Sequence, residues 1–191
     1  MSDRELLSLP DDLPRPVDDH AADHLPGAMV PAIALPATTG GMLQLGIPRD
    51  TAVRQVVFAY PRTGRPGEPP LVSDWDSIPG ARGCTPESCG FRDAHAYLTG
   101  LGAEVVGLST QTTADQSEAA QRLVLTFPLI SDAELRLTRA LRLPTFTAAG
   151  ETLLKRLTLV LRDGVVEHVF YPVFPPDAHA QEVAAWLAAR Q

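Results

Sequence analysis

The sequence is poor in cysteine, short of basic residues and without a long apolar run. Cys84 and Cys89 are the only two cysteines among 191 residues. At most one disulfide can form between them, so a disulfide-rich scaffold is excluded. Lys and Arg number 16 against 23 Asp and Glu, a formal net charge of -7. That balance argues against non-specific binding of DNA or of an anionic membrane. No apolar stretch approaches the length of a membrane span. Residues 1–12 carry acids where a secretory signal would be basic. A cytoplasmic protein with no nucleic-acid and no membrane partner is therefore expected. A permanent structural disulfide is unusual in that compartment, which directs attention to the chemistry of the two thiols.

What is present has ordinary globular composition, 45% apolar and 20% charged, enough for one real core. Residues 1–32 are rich in Pro, Asp and His, show no period, and read as an irregular arm ahead of a domain spanning 33–191. Gly40 and Gly41 punctuate a short hairpin ending near Ile47. Val53 to Tyr60 is a strand whose apolar end suits a sheet centre covered on both faces. Pro61 ends it, and a Pro- and Gly-rich loop runs to Gly83. Loops of that length are usually functional or disordered. A helix follows, with Thr85 as its cap, Pro86 at its first position, and Phe91, Ala94, Leu98 and Leu101 on one face. Further elements read as a strand at 104–109, helices at 115–123 and 132–141, a hairpin of 157–161 with 165–171 across Asp163-Gly164, and a closing helix at 178–190. The order predicts an α/β thioredoxin-like fold, a central mixed sheet with helices on both faces.

Cys84 falls at the loop-to-helix junction. Free amide groups and the positive helix end favour a thiolate there, and Arg82 adds positive potential. A thiolate attacks a peroxide oxygen to give a sulfenic acid, which a second thiol condenses to a disulfide. Cys89 is the only other thiol in the sequence. Five residues along an intact helix rise about 7.5 Å, beyond the usual Cα separation of a disulfide, so bridging requires the helix start to unwind. Other readings of the pair are inert core thiols, a dithiol oxidoreductase (although its usual C-x-x-C spacing is missing), and zinc, for which no histidine has a compact spacing to both thiols. A hydrolase using His95 and Asp93 fails because helical neighbours two apart diverge.

The segments Phe58-Ala59-Tyr60-Pro61, Gly83-Cys84-Thr85, Cys89-Gly90-Phe91-Arg92-Asp93 and Phe127-Pro128-Leu129-Ile130-Ser131-Asp132 resemble those of the peroxiredoxins, specifically the Q-type, bacterioferritin comigratory protein-like group. The resemblance covers residues 30–188. It implies a thiol peroxidase acting on hydrogen peroxide and organic hydroperoxides through Cys84. It implies Cys89 as resolving thiol and thioredoxin or a similar dithiol as reductant, with no metal, flavin or haem cofactor and a monomer or weak homodimer. It also points to Arg156, in Lys155-Arg156-Leu157, as the active-site arginine. Without it Arg156 reads as a solvated or capping charge. The family places Thr or Ser three residues before its cysteine, where Ala81 stands here. Two solutions remain open. Thr63 keeps the family position while residues 64–82 loop out, or Thr85 or a backbone group takes the task. The inserted segment, with Trp75, then forms a lid, a partner surface or padding. A shallow pocket lined by Phe58, Pro61 and Phe146 is expected. The rival functions are a disulfide oxidoreductase and a non-enzymatic redox-sensing interaction domain.

Overall fold

The computed structural model describes residues 3–47 and 53–190; residues 1, 2, 48–52 and 191, which include parts of the expected arm and domain, lie outside the described residues. In sequence order the elements are α1 (Asp3–Leu7), β1 (Ala34–Pro36), β2 (Met42–Gln44), β3 (Arg54–Ala59), α2 (Cys84–Gly100), β4 (Ala103–Ser109), α3 (Thr113–Arg122), β5 (Leu129–Ser131), α4 (Arg136–Leu141), β6 (Thr145–Ala148), β7 (Glu151–Leu154), β8 (Leu157–Arg162), β9 (Val165–Phe170) and α5 (His179–Ala188). Single 3-10 turns lie at Trp75–Ser77 and Pro176–Ala178.

The main sheet has strand order β5-β4-β3-β8-β9. β3, β4 and β5 run parallel, and β8 and β9 join antiparallel. This is the thioredoxin-like arrangement expected from the element order. β3 is buried at every position because it has a strand on each side and a packed layer on each face. Its alternate residues feed two cores. Val56 and Phe58 face Phe91 and Leu98 of α2 and Val183 and Leu187 of α5. Val57 and Ala59 face Leu137 and Leu141 of α4, the β1–β2 hairpin, and Ala22 and Leu25 of the N-terminal segment. Leu25 is fully buried, so the irregular arm contributes to the core directly.

Side-chain acceptors support the first turns of α3 and α4. Thr112 accepts the Asp115 N–H at 3.2 Å ahead of α3. The Asp132 carboxylate accepts the N–H groups of Leu137 and Thr138 ahead of α4. At α2 the expectation of a Thr85 cap is corrected. The helix begins at Cys84, and Gly83 is the N-cap with φ 107°. A Cβ on Gly83 would lie 2.3 Å from the Pro176 ring, so a residue without a side chain is required on both grounds. The β6–β7 hairpin is not foreshadowed by the sequence pattern. Its turn is Ala149-Gly150, both at positive φ, and alanine is not a residue that signals such a turn.

Candidate active site

Three distant segments converge on Cys84. β3 ends at Ala59 and delivers the Pro61–Thr63 corner, α2 begins at the cysteine, and the short link between β7 and β8 supplies Arg156. The Cys84 sulfur is buried. Arg156 Nη2 donates to it from 3.2 Å and the Arg62 backbone N–H from 3.4 Å. The same Nη2 also lies 3.1–3.4 Å from the carbonyl oxygens of Gly80, Ala81 and Arg82. Arg156 thus gathers the backbone ahead of the helix and offsets the negative ends of three carbonyls beside the sulfur. Its Nη1 donates to Glu87 Oε2, and both side chains are out of contact with solvent.

Glu87 is given no role by the sequence pattern. On α2 it is three residues after Cys84, one turn on and on the same face, and that spacing is the signal that could have found it. The cluster holds one fixed cation and two acids. Burial pushes the Cys84 thiol up; the Arg156 charge pulls it back, Glu87 pushes it up, and the hydrogen bonds from Arg156 and Arg62 favour the anion. Burial likewise raises Glu87, to about 7, against the opposing pull of Arg156. The guanidinium neutralises one anion at low cost and a second at high cost, so a proton on Glu87 favours the Cys84 thiolate.

Cys84, Thr85, Arg62, Thr63 and Gln111 line a cavity of about 80 Å³, walled further by Leu6 of α1 and by Leu71, Trp75 and Arg82 of the long loop. Thr63 therefore stands in the cysteine's own cavity although it lies 21 positions earlier in the sequence. Its hydroxyl donates to Gln111 Oε1 at 3.0 Å. Ala81, at the family's hydroxyl position, is wholly buried. The expected pocket lining is corrected. Phe58 is stacked on Phe91 with ring centroids 4.4 Å apart on the core side, Phe146 lines a separate cavity with Arg15, Lys155 and Tyr171, and Pro61 is not among the residues lining the Cys84 cavity. Arg82 lines the same cavity, and its guanidinium donates to the carbonyl oxygens of Glu5 and Ser8 and to Asp76.

Cys89 lies within the intact α2, half-buried, and both cysteines are free thiols. Burial raises its pKa, with Arg92 pulling down and Asp93 pushing up. Arg92 is fixed by Asp93 at 2.8 Å and by the Leu123 carbonyl at 2.8 Å. Among the described residues one trio of potential metal ligands occurs, Asp18, His20 and Asp23, exposed and distant in sequence from the cysteines.

The redoxin family profile matches residues 25–186. Peroxiredoxin Q of Oryza sativa subsp. japonica, a chloroplastic protein, is 32% identical over 160 residues, covering 78% of this chain and 71% of the relative. The chain belongs to the redoxin family, as a peroxiredoxin of the Q type. Chloroplastic peroxiredoxin Q of Suaeda salsa is 29% identical over 162 residues, covering 84% of this peroxiredoxin and 66% of the relative. Peroxidoxin BcpB from Mycobacterium tuberculosis superposes with a TM-score of 0.68 at 28% identity, covering 88% of this peroxiredoxin and 99% of that protein. Peroxiredoxin Q of Xanthomonas campestris gives 0.64 at 24% identity, covering 85% and 97%, and supports the fold. The peroxiredoxin is accordingly a thiol-dependent peroxidase.

Proposed function

We propose that Cys84 is the peroxidatic thiol and Cys89 the resolving thiol of this peroxidase. The observation that carries the assignment is the double donation to the Cys84 sulfur, from Arg156 and from the Arg62 N–H, at a helix start that lines a small, partly open cavity. The Cys84 thiolate attacks the terminal oxygen of a hydroperoxide. The S–O bond forms as the O–O bond breaks, sulfur is oxidised to the sulfenic acid, and the departing oxygen takes a proton from water and leaves as water or an alcohol. Arg156 stabilises the charge that moves onto the departing oxygen. Cys89 then displaces hydroxide from the sulfenic sulfur, closing the disulfide and releasing water once that hydroxide is protonated. Thioredoxin or a similar dithiol reopens the bridge by exchange. Both hydrogen peroxide and small organic hydroperoxides suit a cavity of about 80 Å³. The cycle needs a compartment that supplies dithiol reductants, and the cytoplasm meets that need.

Stopped-flow oxidation of the reduced protein tests the assignment. Stoichiometric oxidation far faster than that of free cysteine is expected in the native protein and in Cys89→Ser, and none in Cys84→Ser. Cys89→Ser should accumulate sulfenic acid in place of the disulfide. Oxidation that persists in Cys84→Ser, or native oxidation at the rate of an ordinary thiol, would refute the roles given to the two residues.

A further inference from the structure

We propose that Gln111 is a positioning residue that fixes Thr63 as a hydrogen-bond acceptor for the hydroperoxide. It rests on the peroxidatic role of Cys84 given above. Gln111 follows β4 and meets Thr63 through three hydrogen bonds. Its Oε1 accepts the Thr63 backbone N–H at 2.8 Å and the Thr63 hydroxyl at 3.0 Å, and its Nε2 donates to the Thr63 carbonyl at 3.2 Å. Both side chains are buried. The orientation of the amide follows from the backbone. A backbone N–H can meet only the oxygen end, and a backbone carbonyl only the nitrogen end. With the oxygen end thus set, the Thr63 hydroxyl can only donate to it, because a carbonyl oxygen has no hydrogen to give.

Thr63 has one hydroxyl proton, and Gln111 takes it. What Thr63 has left is acceptor capacity. A residue in that state cannot donate to the Cys84 thiolate. It can accept the O–H of a hydroperoxide held in the cavity that both residues line. That hydrogen sits on the terminal oxygen, the one the thiolate attacks, and it stays there as the sulfenic O–H. Thr63 therefore selects the terminal oxygen of an organic hydroperoxide, whose other oxygen carries no hydrogen, and orients hydrogen peroxide, whose two oxygens are equivalent. Gln111 is itself pinned. Ser131 Oγ donates to its carbonyl at 2.6 Å, its N–H donates to Ser109 Oγ at 3.2 Å, and that hydroxyl donates to the Pro61 carbonyl at 3.0 Å. The corner that presents the Arg62 N–H to the sulfur and the β4 end that holds Thr63 are thus one hydrogen-bonded unit.

The test compares two reactions of the same sulfur. Stopped-flow oxidation by hydrogen peroxide needs an oriented substrate, whereas alkylation by iodoacetamide needs only the thiolate. Gln111→Leu should slow oxidation about tenfold to a hundredfold and leave the alkylation rate and its pH profile unchanged. Thr63→Val should match it, and the double variant should be no slower than either single one. Thr63→Ser keeps the hydroxyl, its donation to Oε1 and both backbone bonds to Gln111, adds no charge to the cavity, and should retain oxidation within about threefold of native; it serves also if the leucine variant does not fold. Native-like oxidation in Gln111→Leu would overturn the proposal. So would parallel loss of oxidation and alkylation, additive losses in the double variant, or a deep loss of oxidation in Thr63→Ser. If the native protein oxidises no faster than free cysteine, the role of Cys84 fails first, and the native arm reads that out separately.

Discussion

The charge balance of the site is settled by three residues, Cys84, Glu87 and Arg156. Arg156 is wholly enclosed, and its Nη1 and Nη2 face one acid each. Glu87 competes with Cys84 for that cation and, after burial itself, is what opposes the thiolate there. Glu87→Gln keeps a hydrogen bond to Arg156 and removes the competing charge. The Cys84 pKa should then fall, since the Glu87 charge pushes it up. The rising limb of the rate against pH should move to lower pH, and the thiolate absorbance should titrate with it. A limb that stays in place, or moves to higher pH, would show that Glu87 acts by holding Arg156 rather than by its charge.

At the scale of the element, α2 does two jobs that conflict. Its first turn must be formed to place Cys84, Glu87 and the Arg62 contact together. The same turn must open for Cys89 to reach Cys84, because helical side chains five positions apart diverge and are separated by about 7.5 Å of rise. The anchored part starts further on, at Phe91, stacked on Phe58 and enclosed by the core. Oxidation should therefore unwind about the first one to two turns and leave the helix from Phe91 onward intact. Hydrogen exchange on reduced and oxidised protein would show protection lost only before residue 91. Equal protection in both states would contradict it. Gly83→Ala tests the other half of the conflict. It places a Cβ against Pro176 and Leu9 at a positive φ, and should cost about 2–3 kcal/mol in a denaturant melt. Peroxide reactivity should fall as well, since the helix start must shift. A melt within about 0.5 kcal/mol of native would show that the clash is relieved locally.

For the whole molecule, the feature of note is how the arm and the inserted loop wall the cavity. Leu6 from the arm and Trp75 from the loop wall it, and Arg82 ties the two by donating to Glu5, Ser8 and Asp76. Arg82→Ala should loosen that cover. Alkylation of Cys84 by a bulky maleimide should speed up about tenfold, and stability should drop by about 1–2 kcal/mol. Reaction with hydrogen peroxide, small enough to enter the partly covered cavity, should change much less. Equal acceleration of both reagents would show a general loss of structure instead.

What sequence alone determined is local. The Val53–Tyr60 strand, the helix face of Phe91, Ala94, Leu98 and Leu101, the Asp163-Gly164 turn and the helix-start position of Cys84 each follow from residues near one another in the sequence. Resemblance to a family carries the reading further, to Arg156 and Thr63, because motif order survives where contacts cannot be seen. Local pattern misplaces the start of α2 by two residues, since Thr85-Pro86 has a strong capping pattern and the glycine that wins does so through its clash-free fit under Pro176. Tertiary structure alone decided the rest. Glu87 matters because Arg156 arrives from 69 positions away, Gln111 because the β3–β4 pairing brings it to Thr63 across 48 positions, and Arg82 turns to the arm across 77. Phe58 and Phe146 fall outside the pocket for the same reason. Which face of a sheet a side chain meets, and which loop closes over it, depends on partners that no local pattern records.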